Sequence, residues 1–111
     1  MLIIGANNEI TLTRGDTLTL TVSMTKDGQT YTPQTGDVIR LAVSVNYLGA
    51  PGYELLYSET IPNDTLTITI PATETKKWNY KTYNYDVEIT HSDGSIDTFI
   101  SSQLTITGEV K

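Results

Sequence analysis

Thr17-Leu18-Thr19-Leu20-Thr21-Val22-Ser23-Met24 decides the fold. Apolar and hydroxyl residues alternate through it without a break. In an extended chain, successive side chains point to opposite faces. Leu18, Leu20, Val22 and Met24 therefore share one face, and Thr17, Thr19, Thr21 and Ser23 share the other. Wound as a helix, the same residues would scatter around the axis. The alternation returns in Leu66-Thr67-Ile68-Thr69-Ile70 and in Leu104-Thr105-Ile106-Thr107. Strands with one apolar and one polar face belong to antiparallel sheets buried on one side.

Reading outward from these stretches gives the rest of the architecture. Leu2 to Ile4 is a short first strand, and Ile10 and Leu12 alternate in a second. Arg14-Gly15-Asp16 turns the chain into the long alternating stretch. Asp27-Gly28 carries the turn chemistry of a tight hairpin. Tyr31 to Pro33 reads as an edge segment, because Pro33 has no donor for a central ladder. Beyond the turn at Gly36-Asp37, Ile39, Leu41, Val43 and Val45 point inward. Residues 46–53 contain Gly49, Pro51 and Gly52 and form the longest irregular stretch. Strands follow at 55–61 and 65–70.

The one helical segment is Ala72 to Trp78, with Ala72 or Thr73 as its cap. A helix this short does not hold itself, so Trp78 must anchor it. Tyr83, Tyr85, Val87 and Ile89 form the next inward row. Tyr83 lies where a tyrosine corner falls, two residues before the core position held by Tyr85. After a hairpin at Ser92 to Ser95, the last strand places Ile96, Thr98, Ile100, Ser102, Leu104 and Ile106 on one face. Phe99 falls on the other face, which calls for a bulge or a partner contact. Seven or eight strands with turns every eight to twelve residues predict an all-β, two-sheet antiparallel sandwich with one short helix, as one domain over 1–111.

Composition narrows the chemistry. The chain has 111 residues, a formal net charge of −6 and no cysteine. Disulfides, thiolate metal sites and thiol nucleophiles are excluded. Seven basic residues supply little of the phosphate neutralisation that nucleic acids require, so no nucleic-acid partner is expected. No window reaches the length of a membrane span. Met1 to Gly5 is too short for a signal-peptide apolar region and lacks a basic lead. Synthesis in a cytoplasm, without a signal peptide and without a membrane partner, is the expectation.

Motifs with a chemical reading each have a plainer one. His91 is the only histidine. It sits beside Ser92 and Asp93, but neighbours in a hairpin turn do not converge as a triad. No catalytic residue, metal ligand set or cofactor site is expected. Asp93 and Asp97 flank one hairpin and could share a calcium ion, although the loop spacing of an EF-hand is missing. Arg14-Gly15-Asp16 spells an integrin-recognised tripeptide, yet Gly15 serves as the turn residue. Asn63-Asp64-Thr65 fits a glycosylation pattern. The remaining aromatic residues are better candidates. Tyr47, Tyr53, Tyr57 and Phe99 are the expected partner-binding residues, with Tyr31 beside them, since tyrosine is common at interfaces.

The order and spacing of several motifs resemble a known family. Ile10-Thr11-Leu12-Thr13-Arg14-Gly15-Asp16-Thr17 is followed by Asp27-Gly28 and by Thr35-Gly36-Asp37-Val38-Ile39-Arg40. Tyr83-Asn84-Tyr85-Asp86-Val87-Glu88-Ile89, Asp93-Gly94 and Thr98 to Ile106 complete the set. This succession is similar to the N-terminal domain of tailed-phage baseplate upper proteins and related phage or prophage tail proteins. The resemblance spans nearly the whole chain. It implies an immunoglobulin-like β-sandwich, a non-enzymatic structural role and a place in the virion. It also implies partners among other tail or baseplate proteins, with self-association in the assembled particle as a further contact. Longer members continue into a fibre or receptor-binding region, whereas this sequence ends at Lys111. A stand-alone virion protein and an anchoring domain are the two readings of that difference. A bacterial surface adhesion or carbohydrate-binding module is the alternative, and a small hydrolase is the least supported.

Overall fold

From Thr17 to Met24, side chains are exposed and buried in strict alternation in the computed structural model, which describes residues 2–109. The same apolar faces elsewhere in the chain make the core, and the described residues form ten strands and one helical turn. They are β1 (Leu2–Ile4), β2 (Ile10–Thr13), β3 (Leu18–Thr21), β4 (Thr25–Lys26), β5 (Gln29–Thr30), β6 (Val38–Val45), β7 (Glu54–Ile61), β8 (Thr67–Ile70), α1 (Ala72–Thr75), β9 (Lys81–Thr90) and β10 (Ile96–Thr107). One sheet has the order β1-β2-β10-β9-β6-β7, β3 pairs with β8, and β4 pairs with β5. Inner-face residues of the two larger units share one apolar cluster. Leu18 and Leu20 of β3 and Ile68 and Ile70 of β8 meet Leu12, Leu41, Val43, Val87, Ile89 and Leu104 in it. The protein is mostly β, with several sheets, an arrangement compatible with an all-β sandwich.

The count exceeds the expected seven or eight strands, partly because β4 and β5 are two residues each. They close the hairpin at Asp27 and Gly28, whose φ values of 53° and 78° are both left-handed. That geometry is a type I′ turn, the one the Asp-Gly dipeptide favours. The ladder of β3 stops at Thr21, yet burial continues to Met24. Backbone groups there find partners in loops instead. Val22 N–H donates to Leu66 O at 2.8 Å, and Tyr31 N–H donates to Met24 O at 2.8 Å. Tyr31 to Pro33 accordingly forms no edge strand. On the polar faces, threonine hydroxyls pair across strands, Thr21 with Thr67 at 2.9 Å and Thr82 with Thr105 at 3.0 Å.

Two departures come from tertiary pairing. The large sheet is not wholly antiparallel, because β2 runs parallel to β10 with Leu104 opposite Ile10 and Ile106 opposite Leu12. The connection between these strands is most of the chain, so no hairpin constrains their direction. In β10, Thr98 pairs with Glu88 and Ile100 with Val87, which leaves Phe99 as the extra residue of a bulge. One inserted residue reverses the facing of every side chain before it. Ile100, Ser102, Leu104 and Ile106 keep the inner register. Ile96 and Thr98 do not, and Ile96 is 58% exposed. Asp97 takes the inner register instead, opposite Ile89.

The helical turn is held from outside. Pro71 occupies its N-cap with no side-chain cap bond, so neither Ala72 nor Thr73 caps it. The Pro71 carbonyl accepts from Glu74 and Thr75 N–H groups. Thr75 Oγ1 donates to Asp16 O at 2.7 Å. Trp78, 1% exposed, donates its indole N–H to Glu74 at 3.1 Å. Tyr83, on the buried row of β9, donates its hydroxyl to Asn79 O at 3.0 Å, the bond expected of a tyrosine corner. Among the described residues, no helix is long and apolar enough to cross a membrane.

Candidate functional site

The outer face of the large sheet carries a groove of about 200 Å³. Its floor comes from alternate residues of two neighbouring strands, Arg40, Ala42 and Ser44 on β6 and Asn84, Asp86 and Glu88 on β9. These are the outward positions of strands whose inward positions fill the core. Tyr47, Leu48 and Tyr53 of the 46–53 loop, with Leu55 of β7, form its apolar wall. Leu48 is 84% exposed and Tyr47 is 64% exposed. Exposed branched and aromatic side chains grouped around one depression make this groove the candidate recognition surface.

The loop that presents them is built by its own hydrogen bonds. Ser44 Oγ donates to Asn46 O at 2.8 Å, and Asn46 Nδ2 donates to Pro51 O at 3.0 Å. Two successive turns follow, with Ala50 N–H donating to Tyr47 O and Tyr53 N–H to Ala50 O. The presentation is therefore fixed before any partner arrives, which lowers the ordering cost of binding.

Of the four expected partner-binding residues, Tyr47 and Tyr53 lie together in this groove. Tyr57 and Phe99 lie elsewhere, half-buried against the core. The Tyr57 ring packs 5.8 Å from that of Trp78, and its hydroxyl donates to Glu59. Burial and the neighbouring Glu59 carboxylate push the Tyr57 phenol up to about 12. Phe99, the bulge residue, stacks 5.4 Å from Tyr31. Leu48, Leu55 and Arg40 were not among the expected residues. Leu48 had a readable signal, an aliphatic side chain inside a Gly/Pro-rich loop. Leu55 had none, because the residue left unpaired beside it, Leu56, is set only by pairing of β7 with β6.

The residues that look most like chemistry form a second cluster. His91 Nδ1 lies 2.9 Å from Asp37 Oδ1, and Nε2 lies 2.9 Å from Asp97 Oδ2. Tyr31 OH donates to Asp37 Oδ2 at 2.6 Å, and Gln34 N–H donates to the same oxygen at 2.8 Å. Lys26 Nζ reaches Asp97 at 3.4 Å. The Tyr31 hydroxyl, the Gln34 amide and His91 together hold the Asp37 carboxyl down at about 2. Tyr31 is in turn raised to about 12 by the Asp37 carboxylate that it binds. Asp97, then Asp37, hold the His91 imidazole above its ordinary range, and His91, with Lys26, lowers Asp97. With both ring nitrogens facing carboxylates, His91 has no lone pair to offer a hydroxyl nucleophile.

The other motifs are engaged locally. Asp93 accepts from the Ser95 N–H and hydroxyl and so closes its own turn. Among the described residues, no group of three or more His, Cys, Asp or Glu is placed to hold a metal ion. Arg14 pairs with Glu109 at 3.1 Å and lies over the Tyr80 ring, while Gly15 takes a φ of 85°. The Asn63 amide donates to Asp37 O at 2.8 Å. No protein-family model matches the chain, and no curated protein matches it significantly.

Proposed function

We propose that this protein is a non-enzymatic assembly module of a phage or prophage tail, an immunoglobulin-like β-sandwich that acts through protein–protein contacts. The observation that carries the reading is the preformed 46–53 loop, which holds Tyr47 and Leu48 exposed above a groove. Three features support the immunoglobulin-like assignment. β3 pairs with β8 while β10, β9, β6 and β7 form the opposite sheet, and β2 joins it alongside β10. Tyr83 makes the corner bond to Asn79. Tyr85, two residues later, fills the core position that a cysteine holds in antibody domains. The family resemblance of the ordered motifs supplies the tail context, and with it a place in the virion after synthesis in a bacterial cytoplasm.

At the β7 edge, the groove is favoured over edge-to-edge strand pairing. Edge strand β7 carries a bulge at Leu56 and turns Glu59 toward the inner side, opposite Leu41. A bulge and an inward charge are both devices that block strand addition. A second reading, a carbohydrate-binding module, is favoured by one observation. Tyr47 and Tyr53 stand beside Arg40, Asn84, Asp86 and Glu88, which combines aromatic faces with planar hydrogen-bonding groups.

The test begins with the genes beside the coding sequence. Tail or tape-measure genes are expected there, and their products, mixed pairwise with the protein, should include one that binds. Combined Tyr47→Ala and Leu48→Ala substitution should weaken that complex at least about tenfold, as loss of interface anchors does. A sortase or wall-anchor neighbourhood, together with glycan-array binding lost in the same variant, would replace the tail reading with the carbohydrate one.

A further inference from the structure

The cluster around His91 joins two segments that are distant in sequence, 26–37 and 91–97. Asp37 ends the 34–37 turn before β6, His91 follows β9, and Asp97 lies on β10. Lys26 and Tyr31 approach from the β4–β5 hairpin and the residues after it. The backbones are close as well, since a Cβ at Gly36 would lie 2.9 Å from Ser92 Cβ. The bulge at Phe99 is what turns Asp97 toward the ring.

A histidine flanked in this way is constrained by its proton count. Each ring nitrogen stands 2.9 Å from a carboxylate oxygen. An imidazolium donates to both. A neutral imidazole donates from one nitrogen and directs a lone pair at the other carboxylate, which is repulsive. We propose that His91 is a protonation-controlled latch: as imidazolium it ties the 26–37 segment to β10, and loss of its proton releases that segment from the sheet.

The surrounding groups decide the pH range. From β10 Asp97 faces the ring, from the 34–37 turn Asp37 faces it, and from its own turn Asp93 lies near enough to feel its charge. Tyr31 packs edge-on at 6.0 Å. Lys26 is the one cation that reaches this group of carboxylates among the bonds described, and it binds Asp97 from an exposed position, where ion pairs contribute little. The carboxylates favour the charged ring, so its pKa in the folded protein is raised above 6.5. The latch therefore stabilises fully below pH 6.5 and is lost as pH rises through that raised value. Asp37 sets the acid limit with the opposite sign. Its contribution is present above pH 3.8 and is lost as pH falls toward about 2.

The only histidine in the chain makes the test direct. Long-range ¹H–¹⁵N spectra of the labelled full chain, recorded from pH 5 to pH 10, read the protons on the ring. Hydrogen exchange, corrected for its intrinsic pH dependence, reads the Tyr31, Gln34 and Asp37 amides, all hydrogen-bonded in this segment. Both ring nitrogens should carry protons at pH 6, with a midpoint above 6.5. Protection of the three amides should fall about tenfold or more across that midpoint, while the β3–β8 ladder stays protected. Asp97→Asn, at a half-exposed position, should move both transitions to lower pH. A single ring proton at pH 6, a midpoint at or below 6.5, or amide protection that ignores the midpoint would overturn the latch.

Discussion

The connection from α1 to β9 and the connection from β6 to β7 both carry aromatic side chains through irregular backbone, and Trp78 of the first and Tyr47 of the second are used in opposite ways. In the first, Trp78 is 1% exposed, packs against Tyr57 and gives its N–H to Glu74, and Tyr83, just inside β9, is buried with its hydroxyl on Asn79 O. In the second, Tyr47 and Tyr53 stand in water with Leu48 between them. The difference lies in what the backbone does underneath. Residues 76–80 return the chain to a strand that is buried on its inner face; Trp78 is drawn inward with it, while Tyr80 stays exposed beneath Arg14. The 46–53 loop closes on itself through Asn46 and two turns, and its side chains have nowhere to go but out. Aromatic content alone does not separate an anchor from a recognition surface. The hydrogen-bond partners of the polar handle do.

The contrast breaks most readily at Trp78. Trp78→Ala should cost about 3–5 kcal/mol, the range for large aromatic truncations in cores. Urea unfolding followed by circular dichroism reads it, and a loss below about 1 kcal/mol would place Trp78 outside the core. A finer cut is Tyr83→Phe, which keeps the ring and removes one hydroxyl bond to Asn79 O. The expected loss is about 0.5–1.5 kcal/mol, typical of one neutral hydrogen bond. An unchanged midpoint would mean that the corner is held by the ring alone. The smallest stability effect belongs to Tyr47→Ala, within about 0.5 kcal/mol as for exposed positions. Its thermal melt should overlay that of the parent protein. Unfolding by Tyr47→Ala beside tolerance of Trp78→Ala would reverse the roles of the two connections.

Much of this molecule could be read before any coordinate. Leu18, Leu20, Val22 and Met24 are buried where the alternation put them, and so are Tyr83, Tyr85, Val87 and Ile89. The Asp27-Gly28 turn, the burial of Trp78 and the exposure of Tyr47 follow from local rules of the same kind. The candidate site was half legible. Tyr47 and Tyr53 share the groove, whereas Tyr57 and Phe99 fell to the core side, because the direction of each depends on a pairing partner elsewhere in the chain.

Period-two patterning and turn chemistry act over a few residues, so the sequence by itself determined that the chain is built of strands, which faces are apolar and where most turns fall. Pairing acts over tens of residues, and only the tertiary structure decided it. β2 lies parallel to β10 because Ile10 and Leu104 meet across most of the chain. The alternation calls for a bulge or a partner contact at Phe99; that the extra residue turns Asp97 inward and Ile96 outward was decided by the pairing of β10 with β9. His91, read from its neighbours as a turn residue that joins no triad, bridges Asp37 and Asp97. The first of those carboxylates is 54 positions away, and no local rule brings it there.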